Sequence, residues 1–368
     1  MKYFRLLVAL AALAAIAYPL PKKKKKEEET QTLEVPKDPP AATTAETRRL
    51  AFHVTPLSGK GLLSQQVREA LKALMKTAGN AQIVKLRAMV AGSGDLRRVP
   101  AIVSEVFTEK KLNLPVVSTV QVGGLPMEGA QVVLESTAMV RKEVNPHGLA
   151  WISGQQHSTD KPLEAVEPLA RKSLDDLKTA VAAAGSHPSD VLRLTCFMSS
   201  LDGVNAVRGL IAADFAQAAV NLVQVQRAPA RGVVECEAVA RLRHAVAEPV
   251  RLVNPQGLPS SPNYSQLALI GARKIVLTGT QVSFGYQDAD ARLAFQRLDK
   301  VLREAGVSAK NVAMSSLYPL STSLAEQVRR IRFEFYDPSH PPASTMLPFE
   351  GLPAMEAGFA VDVVAVVQ

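Results

Sequence analysis

LKALMKTAGN at 71–80, LKTAVAAAGS at 177–186 and LDKVLREAGV at 298–307 are three versions of one segment. They align on Ala78-Gly79, Ala184-Gly185 and Ala305-Gly306, and each carries a leucine seven residues before its alanine, at Leu71, Leu177 and Leu298. The spacings are 106 and 121 residues, so the chain is read as a threefold internal repeat. Around the first segment Val67, Ala70, Leu71, Leu74, Met75 and Ala78 share a helical face; around the third, Ala291, Ala294, Phe295, Leu298, Val301, Leu302 and Ala305 do. Gly79, Gly185 and Gly306 then stand where a helix stops in the left-handed region.

Working outward, each glycine is followed by an alternating stretch that predicts a strand: Val84/Leu86/Ala88/Val90, then Leu192/Leu194/Cys196/Met198, then Val312/Met314 on to Tyr318. A second helix is predicted from Val99/Ile102/Val103/Val106, Val204/Val207/Ile211 and Leu324/Val328/Ile331/Phe335. Two extended segments close each copy. Copies two and three open on GLAWISGQQ from Gly148 and ARKIVLTGTQV from Ala272, whereas the first has only LAFHVTPL, a truncated front end. The order β, α, β, α, β, β predicts a sheet with two helices on one face. The bare face of each sheet needs cover, and packing three copies sheet to sheet supplies it within one chain. The expected fold class is therefore α+β, a covalent pseudo-trimer that is monomeric in solution, with copies at 50–141, 142–246 and 247–368.

Composition narrows the function. Of 368 residues 47% are hydrophobic and 21% charged, which excludes fibrous and wholly disordered classes. The net charge is +9, but the first 50 residues hold 10 Lys/Arg against 6 Asp/Glu, so the remainder carries only +5. With 5% aromatics and no basic-aromatic interleaving, nucleic acid is not the expected partner. The six histidines show no ligand spacing with each other, with cysteine or with paired carboxylates, so no metal is expected. No Walker, G-x-G-x-x-G or G-x-S-x-G pattern stands in a suitable context. Cys196 and Cys236 read as small buried hydrophobes, and a bridge between them is left open.

Lys2 and Arg5 precede an apolar run at 6–18, and Ala15-Ile16-Ala17 has the small-x-small form of a signal-peptidase site. Residues 1–17 are read as a secretory signal peptide. The run is too short for a stable membrane span across a core of about 30 Å. Export to the periplasm or outside is expected, with the cytoplasm as the other reading because lysines at 22–26 resist translocation. Residues 18–49, rich in charge, Thr and Pro, read as a disordered linker.

WISGQQ, a helix ending in AAG, a strand, a second helix and ECEAVA, together with VLTGTQV, LREAG, HPPAST and AVDVVAV, resemble the Rid family, also called YjgF or L-PSP endoribonuclease-like. The resemblance runs over about 50–368. It implies chorismate-mutase-like α/β sandwich units, a ligand cleft at each subunit boundary, no cofactor, and hydrolysis of 2-imino or enamino acids to 2-oxo acids and ammonia. Carried over by position, it implies cleft residues Ser153, Gly154 and Gln155 in copy two, and Thr280 and Gln281 in copy three. Tyr264 is the matching tyrosine. It also implies a water-positioning carboxylate at Glu135, Glu237 and Asp362, which lie 56, 52 and 56 residues after the helix-ending glycines. The carboxylate-binding arginine of the P-A-R-S/T segment is replaced by Val117, Asn221 and Ser344, with Thr345 following the last. Arg208 and Arg329, on the second helices, read first as solvated cations. The functions implied are a weak or altered deaminase or hydrolase or small-metabolite binder, then a non-catalytic binding or scaffold module, then a ribonuclease.

Overall fold

The computed structural model describes residues 35–161 and 165–367. The signal-peptide reading over 1–17, and the linker reading as far as residue 34, lie outside the described residues. The first unit is β2 (Leu50–Val54), α1 (Leu63–Ala78), β3 (Gln82–Ala91), α2 (Arg98–Glu109), β4 (Val116–Val122) and β5 (Val132–Met139). The middle unit is β6 (Leu149–Thr159), α3 (Glu167–Ala183), β7 (Val191–Met198), α4 (Val204–Asp214), β8 (Ala219–Gln224) and β9 (Gly232–Arg241). The last unit runs through β12 (Lys274–Thr278), β13 (Gln281–Phe284), α5 (Asp288–Glu304), β14 (Val312–Pro319), α6 (Thr322–Ile331), β15 (Ala343–Met346) and β16 (Ala357–Val366). Gly79, Gly185 and Gly306 end the first helix of each unit at φ +58°, +69° and +78°, as the aligned segments require.

Three more strands were not legible. β1 (Ala42–Glu46) pairs antiparallel with β12, Ala42 opposite Thr278 and Glu46 opposite Lys274. The linker reading is therefore corrected for its last residues. The cause lies in β10 (Val250–Val253) and β11 (Leu267–Ile270), which precede β12 in the chain yet join the middle unit's sheet, β11 pairing with β6 and β10 with β11. That leaves the outer edge of β12 without its own hairpin, and β1 satisfies those backbone groups. The boundary at residue 247 is corrected in the same sense, since β10 and β11 extend the middle sheet. Among the described residues the sheets run β2-β5-β3-β4, β10-β11-β6-β9-β7-β8 and β1-β12-β16-β14-β15, with β13 also on β16.

Strand alternation separates two environments. On β9, Val234, Cys236 and Ala238 face the middle unit's own helices among Leu174, Leu177 and Val207. Cys196 and Cys236, opposite one another on β7 and β9, form a disulfide there. The other faces of the three sheets meet in two apolar clusters, one around Phe52, Trp151, Ile275 and Val364, the other around Val120, Phe197, Tyr318 and Phe349.

A buried ionic junction is bracketed by these clusters. Arg87 on β3 donates from Nε to Glu135 on β5 at 2.8 Å, and from Nη2 to Glu237 on β9 at 2.6 Å. Arg193 on β7 donates to Glu237 at 3.3 Å. Lys85 on β3 pairs with Asp362 on β16, which also accepts from Ser118 at 2.7 Å and Tyr318 at 2.9 Å. Arg87 lies over the Phe197 ring and Arg193 over Phe52 and Trp151. Glu135, Glu237 and Asp362 are 2%, 1% and 2% exposed.

The water-positioning role read for these three carboxylates is thereby corrected: each is sealed between sheets and spent on buried cations. Burial alone would raise the Glu135 pKa, but Arg87, Arg193, Asn221 and Thr195 together hold it below the usual carboxylate value. Removing one partner strands a buried charge, which costs about 3–5 kcal/mol. Arg87→Met should therefore lower the unfolding free energy in urea by that amount at pH 7. A loss below about 1 kcal/mol would show that the junction does not hold the sheets together.

Candidate functional site

Strand register identifies equivalent positions in the three units. Arg87 lies opposite Glu135, Thr195 opposite Glu237 and Ser316 opposite Asp362, so the three junction carboxylates correspond. Two residues earlier on the same faces stand Val133, Glu235 and Ala360, opposite Met89, Phe197 and Tyr318. Only the middle unit carries an acid there.

Glu235 opens into a cavity of about 190 Å³ between the middle and last units, lined also by Gly154, Tyr264, Arg329, Arg332 and Ser344. Five of the carried-over residues meet at this boundary. The Ser153 hydroxyl donates to the Ser265 carbonyl at 2.6 Å and accepts from the Ser344 N–H at 2.8 Å. The Gly154 N–H donates to Thr345 Oγ1 at 3.2 Å. These bonds tie β6 to β15 across the unit boundary and fix the cavity wall. Gly154 is required by contact: a Cβ there would lie 1.9 Å from Glu235 Oε1. Tyr264, half-buried at the cavity mouth, has its hydroxyl pKa raised by burial and then by Glu235.

The remaining candidates lie elsewhere. Thr280 lies in the break between β12 and β13, where Gly279 packs on the Val117 backbone of the first unit, and Gln281 opens β13. Asn221 donates to Glu135 at 2.7 Å and lines a separate cavity of about 400 Å³ between the first and middle units. That cavity occupies the equivalent boundary, with Val133 in place of Glu235, and its walls are mostly apolar.

Two residues of the site escaped the sequence reading. Glu235 is 4% exposed, and its pKa is pushed up to about 8 by burial, then by the nearby charge of Glu237. A pKa about a unit above neutrality leaves it mainly protonated at pH 7. The signal for it was E-C-E: with period two, Glu235 and Glu237 face the same way, and the glycine count selected the second. Arg332, in the turn after α6, is 2% exposed. It donates to the Asn263 carbonyl and, at 3.5 Å, to Ser344 Oγ, while its Nε has no partner. No carboxylate pairs with it among the described residues, and burial lowers its pKa to about 10, which leaves it charged. β15 carries Ser344 at the expected arginine position and supplies no guanidinium, while Arg332 reaches the Ser344 hydroxyl from the neighbouring turn. Nothing in the VRRIRFEFY run marks which arginine turns inward. Among the described residues no group of three His, Cys, Asp or Glu stands together to hold a metal.

Residues 136–242 match the profile of the endoribonuclease L-PSP family. Over these residues the chain is similar to the Rid family. Solved structures similar to it include the Rid protein YyfB of Yersinia pestis, at 19% identity over 33% of this chain and 100% of that one, TM-score 0.29. A member of the YjgF/YER057c/UK114 family from Mycobacterium tuberculosis has 21% identity over 32% and 99%, TM-score 0.23. A putative endoribonuclease from Thermotoga maritima has 16% identity over 33% and 99%, TM-score 0.24. No curated protein matches the chain. The matched residues include β6 to β9, and so Gly154 and Glu235.

Proposed function

We propose that the protein hydrolyses small carboxylate-bearing imines at the boundary between its middle and last units. One observation carries this reading: a buried guanidinium without a counter-ion, Arg332, shares a cavity with a buried carboxylic acid that is mainly protonated at pH 7, Glu235. A buried cation lacking an anion is costly unless a ligand supplies the charge. A substrate carboxylate held by the Arg332 fork would satisfy it by parallel hydrogen bonds.

The chemistry follows from the state of Glu235. Its O–H donates a proton to the imine nitrogen, which makes the carbon electrophilic and leaves a carboxylate. That carboxylate takes a proton from water as the water oxygen adds to the carbon. Glu235 then returns the proton to the amine nitrogen, the C–N bond breaks as the carbinol O–H gives its proton back to the Glu235 carboxylate, and a 2-oxo acid and ammonia leave with the acid restored. Water is consumed, no electrons are exchanged, and no cofactor is called for. A ribonuclease reading, which the family description carries, needs a groove for a phosphodiester chain; a cavity of about 190 Å³ is of metabolite size.

The proposal includes the architecture: three fused Rid-type units in which one chain supplies both sides of the cleft, so that light scattering returns the mass of one chain, 39.4 kDa or somewhat less after processing. A mass of three chains would contradict it. Export remains part of the proposal, and the Cys196–Cys236 bridge fits an oxidising compartment.

Release of 2-oxo acid from 2-imino acids generated in situ by an amino-acid oxidase tests the chemistry. Glu235→Gln should lower kcat by about 10²–10⁴-fold, and Arg332→Met should raise KM by about 100-fold. Wild-type kcat should fall as pH rises through about 8, because ionised Glu235 cannot protonate the imine. A kcat unaffected by Glu235→Gln would contradict the assignment, and binding without turnover would favour a metabolite-binding module.

A further inference from the structure

The Glu235 cavity does not end at its own walls. A second cavity of about 340 Å³ adjoins it, and Gln156, Arg329 and Met346 line both. The two cavities are neighbours with three side chains in common. The outer chamber is walled by Val225, Val233, Ala325, Leu347 and Pro348. Val225, Val233 and Leu347 belong to the buried inter-sheet cluster and Ala325 to the packed face of α6, so this wall is pre-formed.

The charged side chains lining the chamber are Arg231, Arg329 and Glu326, a net positive set. Arg329 and Arg231 both line it, and both are close enough to Glu235 to act on its ionisation. Arg329 is matched by Glu326 on its own helix. Arg231 stands exposed at the rim with no carboxylate partner among the described residues. An apolar wall between two unmatched guanidiniums, Arg332 inside and Arg231 outside, fits a molecule with an anionic group at each end and methylenes between.

We infer that the substrate is a dianion, a 2-imino dicarboxylate whose reacting end lies by Glu235 and Arg332 and whose apolar chain crosses the outer chamber to a second carboxylate at Arg231. This rests on the functional reading above and adds to it the substrate class and a specificity residue. A short 2-imino acid would leave the outer chamber to water and Arg231 without an anion. The reaction itself is unchanged, since the distal carboxylate forms and breaks no bond.

Stable probes of matched length separate the two claims. Titration calorimetry on the full chain would compare octanoate, one carboxylate on eight carbons, with suberate, two carboxylates on eight carbons. Suberate should bind at least about tenfold more tightly at low salt, and the advantage should shrink as ionic strength rises. Arg231→Gln, a surface substitution that leaves the packed core untouched, should bring suberate down to the octanoate level. Equal binding of the two probes by the wild type, or a suberate advantage that survives Arg231→Gln, would overturn the inference. Arg332→Met tests the underlying reading separately. If it weakens both probes while no suberate preference exists, only the dianion inference falls. If it weakens neither, or if neither probe binds the wild type, the Arg332 carboxylate site falls and the dianion inference with it.

Discussion

Three cations and three carboxylates close off the place where the sheets converge. Lys85, Arg87 and Arg193 face Glu135, Glu237 and Asp362, so the junction is electrically balanced. Its members come from all three units, with Arg87 of the first bridging to Glu237 of the middle and Lys85 of the first to Asp362 of the last. Apolar packing alone tolerates sliding of one sheet over another. A network of buried charges does not, because any shift that separates a pair exposes the full desolvation cost of both ions. The junction thus fixes the relative register of the sheets, and with it the boundaries where cavities open.

Position on β9 then decides what those boundaries can do. Glu237 points into the junction and Glu235, one pleat away on the same face, emerges at the boundary with the last unit. The corresponding pleats hold Val133 on β5 and Ala360 on β16. One boundary therefore has an acid, and another has become an apolar cavity beside Asn221 and Arg208. Of the three register-equivalent positions on β5, β9 and β16 the one on β9 carries the acid, and Arg332 in the turn after α6 lines the same cavity.

How much of this was legible follows from what each feature depends on. The helix-ending alignment at Ala78, Ala184 and Ala305 reports local periodicity and turn geometry, so the order of elements could be read directly. Ser153, Gly154, Tyr264, Ser344 and Thr345 could be placed by resemblance, and the structure brings them to one boundary. The pairing of β11 with β6, and of β10 with β11, could not be read, because a strand's partner is set by tertiary contacts rather than by its own pattern. β1 was hidden for the same reason: ATTAE within a Pro-rich, charged stretch acquires order only from the open edge of β12. The exchange of roles between Glu235 and Glu237 turns on a single pleat, and spacing counted along the chain does not resolve a pleat. Arg332 is one of several arginines in its run, and its burial is a property of the neighbouring loop at Asn263 rather than of the run itself.

The chemistry proposed for the cleft requires Glu235 to be held as a neutral acid. A carboxyl whose pKa rises from 4.5 unfolded to about 8 folded binds more protons in the native state, so native stability falls as pH climbs between those values and levels off above them. The direct measurement is the urea unfolding free energy of the wild type against Glu235→Gln from pH 4 to pH 9. The two should be alike near pH 4, and the Gln variant should become progressively the more stable, by about 3 kcal/mol at pH 7, with no further change above about pH 8. A difference independent of pH, or a wild type that gains on the variant as pH rises, would mean that Glu235 is an ordinary ionised carboxylate and would contradict the site as described.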